Sequence, residues 1–306
     1  MISNKKIYVI IVTYNGEKWI SKCLESVENN NIPVNIIVID NNSTDSTIQI
    51  IKTKFPNVEL IKSKINLGFG KGNNIGLKKA LKENADYVFL LNQDAWIEIN
   101  TIEKLVNTQQ KNQDYGILSP FHLDYKGNEI EYYFSTIMSP EHCPNLINDI
   151  YFGKKKELYE IDFIHAAAWL ISKKCLETVG GFDPIFPHYS EDNDYINRAE
   201  YFKFKVGIVP ESIVFHKGKH AGLYNFDYNF ILHLNFIILS LKNINHKFRG
   251  LFLVYLKTSC DKITSTIIYR RFKDFRFQIK LFTKSLFLLK KILKTRKNCK
   301  EKTSYL

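Results

Sequence analysis

The stretch Leu90-Leu91-Asn92-Gln93-Asp94-Ala95 joins an apolar run to a carboxylate flanked by polar side chains. The run begins at Tyr87, and its length and composition predict a buried strand. Ligands of open α/β sheets bind just beyond the carboxyl ends of the strands. A carboxylate at that position can hold a divalent metal, which can bind a diphosphate. Asp is also a favoured N-cap residue, so this stretch alone indicates a metal ligand and a helix cap equally well.

Strand and helix patterns alternate around this stretch. Apolar runs at residues 6–13, 35–40 and 58–61 predict three earlier strands, and helical spacing or a capping residue follows them. Repeated βα units predict an α/β fold with a mostly parallel sheet. The segment at about 120–160 reads as irregular. Beyond it, two further strands are predicted, separated by a turn at Pro210-Glu211.

Polar side chains end three of the predicted strands, which predicts a binding crevice along one edge of the sheet. The pairs are Thr13 with Asn15, Asp40 with Asn42, and Asn92 with Asp94. The glycine-rich loop at residues 66–74 lacks GxGxxG spacing, and no GxxxxGK[ST] motif occurs. The sequence therefore gives no support to a dinucleotide-binding Rossmann domain or a P-loop.

The charge distribution divides the chain in two. Residues 242–306 carry 18 Lys and Arg against 3 Asp and Glu, a balance of +15, which leaves −3 for the rest of a chain whose net charge is +12. This predicts a near-neutral globular domain at residues 1–222 and a basic helical region at residues 223–306. Five scattered cysteines without a CxxC pair, and no signal-peptide pattern, predict a reduced, cytoplasmic protein without a zinc site.

Taken together, these residues resemble the GT-A glycosyltransferases of family 2, and most of all the rhamnosyltransferase-type subgroup. The resemblance covers roughly residues 6–220 and rests on seven motifs in order: VTYN at 12–15, VIDNNSTD at 38–45, NLGFGKGNNIG at 66–76, NQD at 92–94, GGFD at 180–183, EDND at 191–194, and VPE with His216 at 209–216. It implies a Rossmann-like, mixed but mostly parallel sheet with flanking helices. It also implies inverting transfer from a nucleoside-diphosphate sugar, either dTDP-rhamnose or a UDP-hexose, to a glycan or lipid-linked acceptor in surface polysaccharide biosynthesis.

The resemblance also implies which residues bind the donor. Asp40 matches the residue that accepts the N3–H of uracil or thymine, although a turn-starting Asp fits as well. The base is expected to be framed by Thr13, Tyr14 and Asn15. Further donor-site positions implied are Glu17, Asn42, Gly68, Lys71, Asn73, Asn92 and Asp94. Lys71 equally fits a solvated lysine at a helix start.

The expected cofactor is Mg²⁺ or Mn²⁺, with Asp94 and His216 as its ligands. The family's usual signature is DxD, and here Asn92 takes its first position. The metal is therefore left with fewer charged ligands. Asn92 itself suits a contact with the ribose or a role in organising the loop. His216 also fits a histidine hydrogen-bonded at a strand terminus.

Asp192 matches the family's catalytic base, which takes the proton of the attacking acceptor hydroxyl and contributes on the order of 10²–10⁴-fold. Glu191 is the second expected catalytic residue, placed to orient loops or the acceptor and to raise the pKa of its neighbour. A helix N-terminus enriched in acids is the plainer interpretation. His165 and Trp169 resemble an acceptor-side wall, although Trp169 lies in an apolar run typical of a core.

The basic region contains an amphipathic pattern formed by Leu281, Phe282, Ser285, Leu286 and Leu289 with lysines between them. No apolar run reaches the ~18–20 residues of a membrane span. We therefore expect peripheral contact with the anionic inner face of the cell membrane. The alternative is that these helices form a lid or an oligomerisation tail; in the second case the protein would be a homo-oligomer. Nucleic-acid binding is not expected.

Two other functions compete with glycosyl transfer. A sugar-phosphate nucleotidyltransferase needs a glycine-rich basic loop after the first strand, whereas residues 13–17 are acidic. A non-catalytic nucleotide-sugar-binding homologue is suggested by the incomplete DxD signature, although Asp94 and Asp192 are both present.

Overall fold

The computed structural model of the chain describes residues 5–218 and 226–306. The predicted boundary between residues 222 and 223 lies outside these residues. Within the described ranges the elements follow in this order: β1 (Ile7–Thr13), α1 (Ile20–Glu28), β2 (Asn35–Asp40), α2 (Thr47–Lys54), β3 (Glu59–Lys62), α3 (Gly68–Lys82), β4 (Tyr87–Asn92), β5 (Ala95–Ile97), α4 (Thr101–Lys111), β6 (Tyr115–Asp124), α5 (Tyr132–Ile137), α6 (Leu146–Tyr151), β7 (Tyr159–Glu160), β8 (Ala168–Ser172), α7 (Lys173–Val179), α8 (Glu191–Tyr201), β9 (Lys205–His216), α9 (Phe226–Lys242), α10 (Phe248–Ile268) and α11 (Phe272–Asn298).

The strands form one mixed sheet in the order β3-β2-β1-β4-β8-β6-β9-β5, with β7 also paired to β9. The pairs β1–β2, β2–β3, β1–β4 and β6–β9 are parallel, whereas β5, β7 and β8 run antiparallel to their neighbours. Successive residues of β1 belong to two separate apolar cores: Tyr8 and Ile10 to one, Ile7, Val9 and Ile11 to the other. Burial on both faces explains why these strands read as continuous apolar runs, and the predicted α/β fold is confirmed.

Two glycines let α3 pack closely on β1. A Cβ atom at Gly76 would lie 2.6 Å from Cγ2 of Ile10, and one at Gly72 would lie 2.9 Å from Cγ1 of Val12. Real Cβ atoms do not approach so closely, so any larger side chain would push the helix away from the strand. These glycines therefore fix the distance between helix and sheet and bring the start of α3 to the strand ends.

The second half of the sheet differs from the sequence prediction. The two strands expected around Pro210-Glu211 are one continuous strand, β9, and its pairing with β6 shifts register between Pro120/Val209 and Phe121/Ile213. A bulge accommodates a proline that cannot donate to the ladder. Residues 115–124 form β6, so only the later part of the irregular segment is loop-rich. Trp169 is fully buried and stacks on Phe182, so it is a core residue and not part of an acceptor wall.

Helices α9, α10 and α11 form a bundle around a third apolar core, which also includes Ile185 and Phe186 from the loop before α8. Leu281 and Ser285 of the amphipathic pattern are 3% and 1% exposed. Leu281 and Ser285 therefore pack inside the bundle, whereas Leu286 of the same pattern is 37% exposed. Among the described residues, no helix combines the length and apolarity needed to cross a bilayer.

Candidate active site

The carboxyl ends of β1, β2 and β4 lie side by side. Parallel pairing places Thr13 opposite Asp40 and Val12 opposite Asn92. The backbone N–H of Asn41 donates to the carbonyl of Thr13 at 2.7 Å, which continues the strand pairing into the loops. Polar groups that are up to 80 residues apart in sequence therefore share one edge of the sheet, as predicted.

Gln93 joins two of these loops. Its side-chain oxygen accepts hydrogen bonds from the hydroxyl of Thr13 at 2.6 Å and from the backbone N–H of Tyr14 at 3.0 Å. Its side-chain N–H donates to the carbonyl of Tyr14 at 3.2 Å. No local sequence pattern reveals this role of Gln93, because Thr13 and Tyr14 lie 80 and 79 residues away.

The loop after β1 is held against the loop after β2. Asn15 receives a hydrogen bond from the backbone N–H of Thr44 at 2.8 Å, and Glu17 receives one from that of Ser46 at 3.1 Å. Asn15 and Asn42 both have positive φ, 48° and 68°, a backbone state that Asn tolerates better than most residues. These two exposed positions therefore have a structural role in shaping the loops.

Asp40 is buried at the end of β2, and both its carboxylate oxygens accept from the backbone N–H of Ser43, at 3.3 and 3.2 Å. The alternative of a turn-stabilising Asp is therefore realised in this structure. Tyr14, in the neighbouring loop, presents an accessible aromatic surface, with an exposed fraction of 45%.

The glycine-rich loop begins α3 next to the loop after β2. The side-chain amide of Asn41 donates to the carbonyl of Gly68 at 3.1 Å, and Gly68 has φ of 77° with the Pro187 carbonyl 2.5 Å from where a Cβ would stand. Lys71 is exposed on the first turn. Asn73 is buried, and its amide donates to the carbonyl of Phe69 at 3.0 Å, so its side chain supports the helix itself.

Asp94 and His216 meet across the sheet. Asp94 lies in the turn between β4 and β5, and it does not cap a helix, because the nearest helix, α4, has Asn100 as its N-cap. Antiparallel pairing places Ala95 opposite His216, and the Nε2 atom of His216 lies 3.6 Å from the Oδ1 atom of Asp94. Asn92 completes the group, with its amide nitrogen 3.4 Å from the same Nε2 atom.

The donor set at Asp94 and His216 fits a divalent cation. The two side chains are partly exposed, 25% and 13%, so each can turn a ligand atom toward a shared ion and leave room for phosphate oxygens. A carboxylate oxygen and an imidazole nitrogen together suit Mn²⁺, and the carboxylate alone suits Mg²⁺. We therefore find that the residues present are compatible with the expected metal.

Two further histidines lie near this pair. His122 is buried, 3.0 Å from the Ser119 hydroxyl through Nε2, and its ring meets that of His216 edge-on at 6.3 Å. Burial lowers the pKa of His165, and the negative charges of Asp192 and Glu131 act in the opposite direction. The charge of His216 lowers the pKa of His165 further.

Glu191 and Asp192 form the first turn of α8, after two left-handed residues, Tyr189 and Ser190. Asp192 is partly exposed, and its Oδ1 atom accepts from the backbone N–H of Asn193 at 2.8 Å. Glu191 is 5% exposed, and its Oε2 atom is buried without a hydrogen-bond partner among the described residues. Burial, reinforced by the Asp192 charge, raises the pKa of Glu191 to about 8, so this carboxyl is largely protonated at neutral pH.

A second cluster with metal-ligand composition has a different use. Asp183, Asp194 and Cys299 bring their ligand atoms within 4.8 Å of one another. The ammonium of Lys242 lies among them, 2.9 Å from Asp183 Oδ2 and 2.7 Å from Cys299 Sγ, and it contacts Asp194. A lysine therefore supplies the cation, and the cluster joins the C-terminal helices to α8.

One cavity, about 680 Å³, lies at the amino ends of β1 and β2 beside Tyr8 and Asn35, away from these groups. A second cavity, about 370 Å³, opens beside His216 and is lined by Tyr125, Glu131 and Tyr132. Only the second adjoins the predicted site.

Comparisons with known proteins agree with this arrangement. The chain is 27% identical over 205 residues to the low-salt glycan biosynthesis hexosyltransferase Agl10 of Haloferax volcanii, a match that covers 65% of this chain and 63% of that protein. It is 26% identical over 235 residues to the N-acetylglucosaminyl-diphospho-decaprenol L-rhamnosyltransferase of Mycobacterium tuberculosis, covering 70% and 76%. The chain thus spans slightly less than two thirds of the first relative.

The fold is also that of solved glycosyltransferases. The mannosyltransferase of Pyrobaculum calidifontis, solved with GDP-Man and Mn²⁺, superposes with a TM-score of 0.58 at 14% identity, over 92% of this chain and 87% of that one. The sequence model of glycosyl transferase family 2 matches residues 8–180, more than half of the chain. The chain therefore belongs to glycosyl transferase family 2.

Proposed function

We propose that the protein is an inverting, metal-dependent glycosyltransferase that moves a sugar from a nucleoside-diphosphate donor to a glycan or lipid-linked acceptor in surface polysaccharide biosynthesis. The observation that carries the proposal is the meeting of Asp94 and His216, 3.6 Å apart, at the edge where Thr13 and Asp40 also end their strands. dTDP-rhamnose and UDP-hexoses are the donor classes proposed, since a rhamnosyltransferase and a hexosyltransferase are among the relatives.

In this proposal the donor lies along the loops after β1 and β2. Thr13, Tyr14, Asn15, Glu17, Asp40 and Asn42 surround the nucleoside, and Gly68, Lys71 and Asn92 lie toward the phosphates. Asp94 and His216 would hold the Mg²⁺ or Mn²⁺ ion, whose charge stabilises the diphosphate as a leaving group. Asn73 contributes through the stability of α3, because its amide is already bonded to the Phe69 carbonyl.

Asp192 is proposed to be the catalytic base. It is the more exposed carboxylate of the Glu191-Asp192 pair, and its negative charge acts to raise the pKa of His165. Because Glu191 stays largely protonated at neutral pH, a single negative charge stands at this point. Asp192 can then accept the proton of an acceptor hydroxyl without a second adjacent anion.

The cavity beside His216 offers space for the acceptor. Tyr125 and Tyr132 present aromatic surface, which suits the apolar face of a sugar ring. Glu131 also lines the cavity, but it is buried and its carboxylate caps α5. We also propose that the protein works at the inner face of the cell membrane, where a lipid-linked acceptor would be found.

The test is a panel of UDP-, GDP- and dTDP-sugars with and without Mn²⁺, scored by donor hydrolysis and by thermal shift. Metal-dependent hydrolysis of one donor, lost in Asp94→Asn and His216→Ala, supports the proposal. Release of pyrophosphate from a nucleoside triphosphate and a sugar phosphate would instead indicate a nucleotidyltransferase. Donor binding without any hydrolysis or transfer would indicate a non-catalytic homologue.

A further inference from the structure

The turn between α10 and α11 exposes a compact group of large apolar side chains. Ile267, Ile268, Tyr269 and Phe272 are 59%, 68%, 66% and 75% exposed. Four such residues within six positions are unusual on a soluble surface, where exposed apolar residues are normally scattered. We call residues 267–276 the hairpin tip.

Basic side chains surround these apolar residues. The hairpin tip contains Arg270, Arg271, Lys273 and Arg276, all exposed, against the single acid Asp274. Asp274 lies 3.8 Å from Arg271 in an exposed pair, which in water contributes little. The hairpin tip thus combines apolar surface with a net positive charge of +3.

The turn itself is tightly built. Arg270 has φ of 52°, and the backbone N–H of Arg271 donates to the carbonyl of Thr266 at 2.8 Å, the hydrogen bond that ends a helix in a left-handed residue. Glycine is the usual residue at such a position. The exposed apolar residues are therefore held on a defined turn and not on a loose loop.

Some apolar residues of the described bundle lie inside it, and others are exposed on the helix surfaces, including Leu253, Val254 and Phe287 at 57%, 65% and 80%. Leu281 and Tyr255 are buried, and Phe230 of α9 packs edge-on against Phe277. Ahead of these contacts, the hairpin tip extends with exposed side chains on both helices. Part of the amphipathic stripe of α11 is therefore held inside the bundle, and the hairpin tip adds a group of exposed apolar residues at the end of the two helices.

We propose that the hairpin tip inserts into the interface of an anionic lipid bilayer. The apolar side chains would lie at the boundary between headgroups and acyl chains, and the arginines would contact the headgroups; the apolar residues are Ile267, Ile268, Tyr269 and Phe272. Charge complementarity selects this occupant, because apolar residues surrounded by arginine and lysine match the layered polarity of an anionic bilayer. The inference gives the proposed membrane location a specific surface and rests on that proposed function only for its biological purpose.

The full chain is mixed with vesicles of phosphatidylcholine alone or with added phosphatidylglycerol, and the bound fraction is measured by co-sedimentation at low and high salt. Wild-type protein should bind the anionic vesicles and lose binding as salt rises. Ile268→Glu with Phe272→Glu should weaken the partition coefficient by about 10- to 100-fold, because apolar burial is lost. Arg270→Gly with Arg271→Ser should weaken it roughly tenfold or more, on the order of fivefold for each basic residue.

A matched control replaces Ile99, a single apolar residue that is 60% exposed on the other part of the molecule, with glutamate, and should bind vesicles as wild type does. Equal binding by the tip variants and wild type would overturn the proposal. So would wild-type self-association in sedimentation velocity that the tip variants abolish, since a second copy would then be the occupant. Donor hydrolysis in the absence of lipid is measured in parallel, so failure of the proposed function is seen separately from failure of membrane binding.

Discussion

Replacing Lys242 with methionine should destabilise the whole protein. The side chains of Lys242, Asp183 and Asp194 are only 1%, 0% and 4% exposed. Methionine fills similar volume but leaves two buried carboxylates without their shared cation. Removing one partner of a buried ion pair costs about 3–5 kcal/mol. The lower end is expected, because Arg198 still reaches Asp194 at 2.9 Å.

The loss should depend on pH. Burial would raise the pKa of Asp194, but Lys242 and Arg198 hold it below its ordinary value in the native protein. In Lys242→Met the buried carboxyls bind protons more readily when folded than when unfolded. A group with a raised folded pKa contributes stability that is lost as pH rises. The deficit of the variant should therefore be largest near neutral pH and shrink as pH falls toward about 4, the ordinary range for Asp.

This deficit is measured by urea unfolding, monitored by fluorescence at several pH values. It is read from the shift of the unfolding midpoint, provided that the dependence of the unfolding free energy on urea concentration is unchanged. Lys257→Met, at an exposed lysine of α10, is the matched control and should stay within about 0.5 kcal/mol of wild type. A loss of less than about 1 kcal/mol in Lys242→Met, or a deficit that does not change with pH, would refute the assignment of Lys242 as the cation of this cluster.

Four other substitutions test three separate parts of the structure. Burial raises the pKa of Glu191 to about 8. The free energy of unfolding of the wild type should therefore fall by up to ~5 kcal/mol as pH rises from about 4.5 to 8. Glu191→Gln should remove this pH dependence in urea titrations. Gly76→Ala should lower the free energy of unfolding by about 1–3 kcal/mol, because the new Cβ overlaps Ile10. Gly250→Ala, where no atom lies within 4 Å of the new Cβ, should raise it by about 0.5–1 kcal/mol. Equal shifts of the two variants in thermal unfolding would contradict this. Gln93→Ala should raise the donor Kd in calorimetry, since three hydrogen bonds that shape the base-binding loop are lost, and an unchanged Kd would separate that loop from donor binding.

Much of the fold was predictable because its physics is local. The central parallel strands β1 and β4 are buried on both faces, so each appears in sequence as an apolar run, and the polar residue that ends it marks the sheet edge. Asp94 and His216 were placed together by the order of motifs, and the structure brings them within 3.6 Å. The family and the GT-A fold are confirmed.

What the sequence did not reveal depends on distant partners. Gln93 bonds to residues 79 and 80 positions away, and Lys242 bonds to residues 48 and 57 positions away, so no local pattern marks either. Pro210 suggested a turn, yet the register shift between β6 and β9 absorbs it within one strand. The amphipathic pattern of α11 was recognised, but a pattern alone does not say whether its apolar face meets lipid or neighbouring helices.

The most direct test of the proposed chemistry is the turnover of Asp192→Asn. With a donor identified from the panel, transfer to acceptor should fall by about 10²–10⁴-fold, since the base is lost, while the donor Kd in the presence of Mn²⁺ stays close to wild type. Asp114→Asn, at an exposed carboxylate paired with Lys205, is the control and should transfer normally. Near-wild-type turnover in Asp192→Asn would contradict the account, because Asp192 could not then be the base.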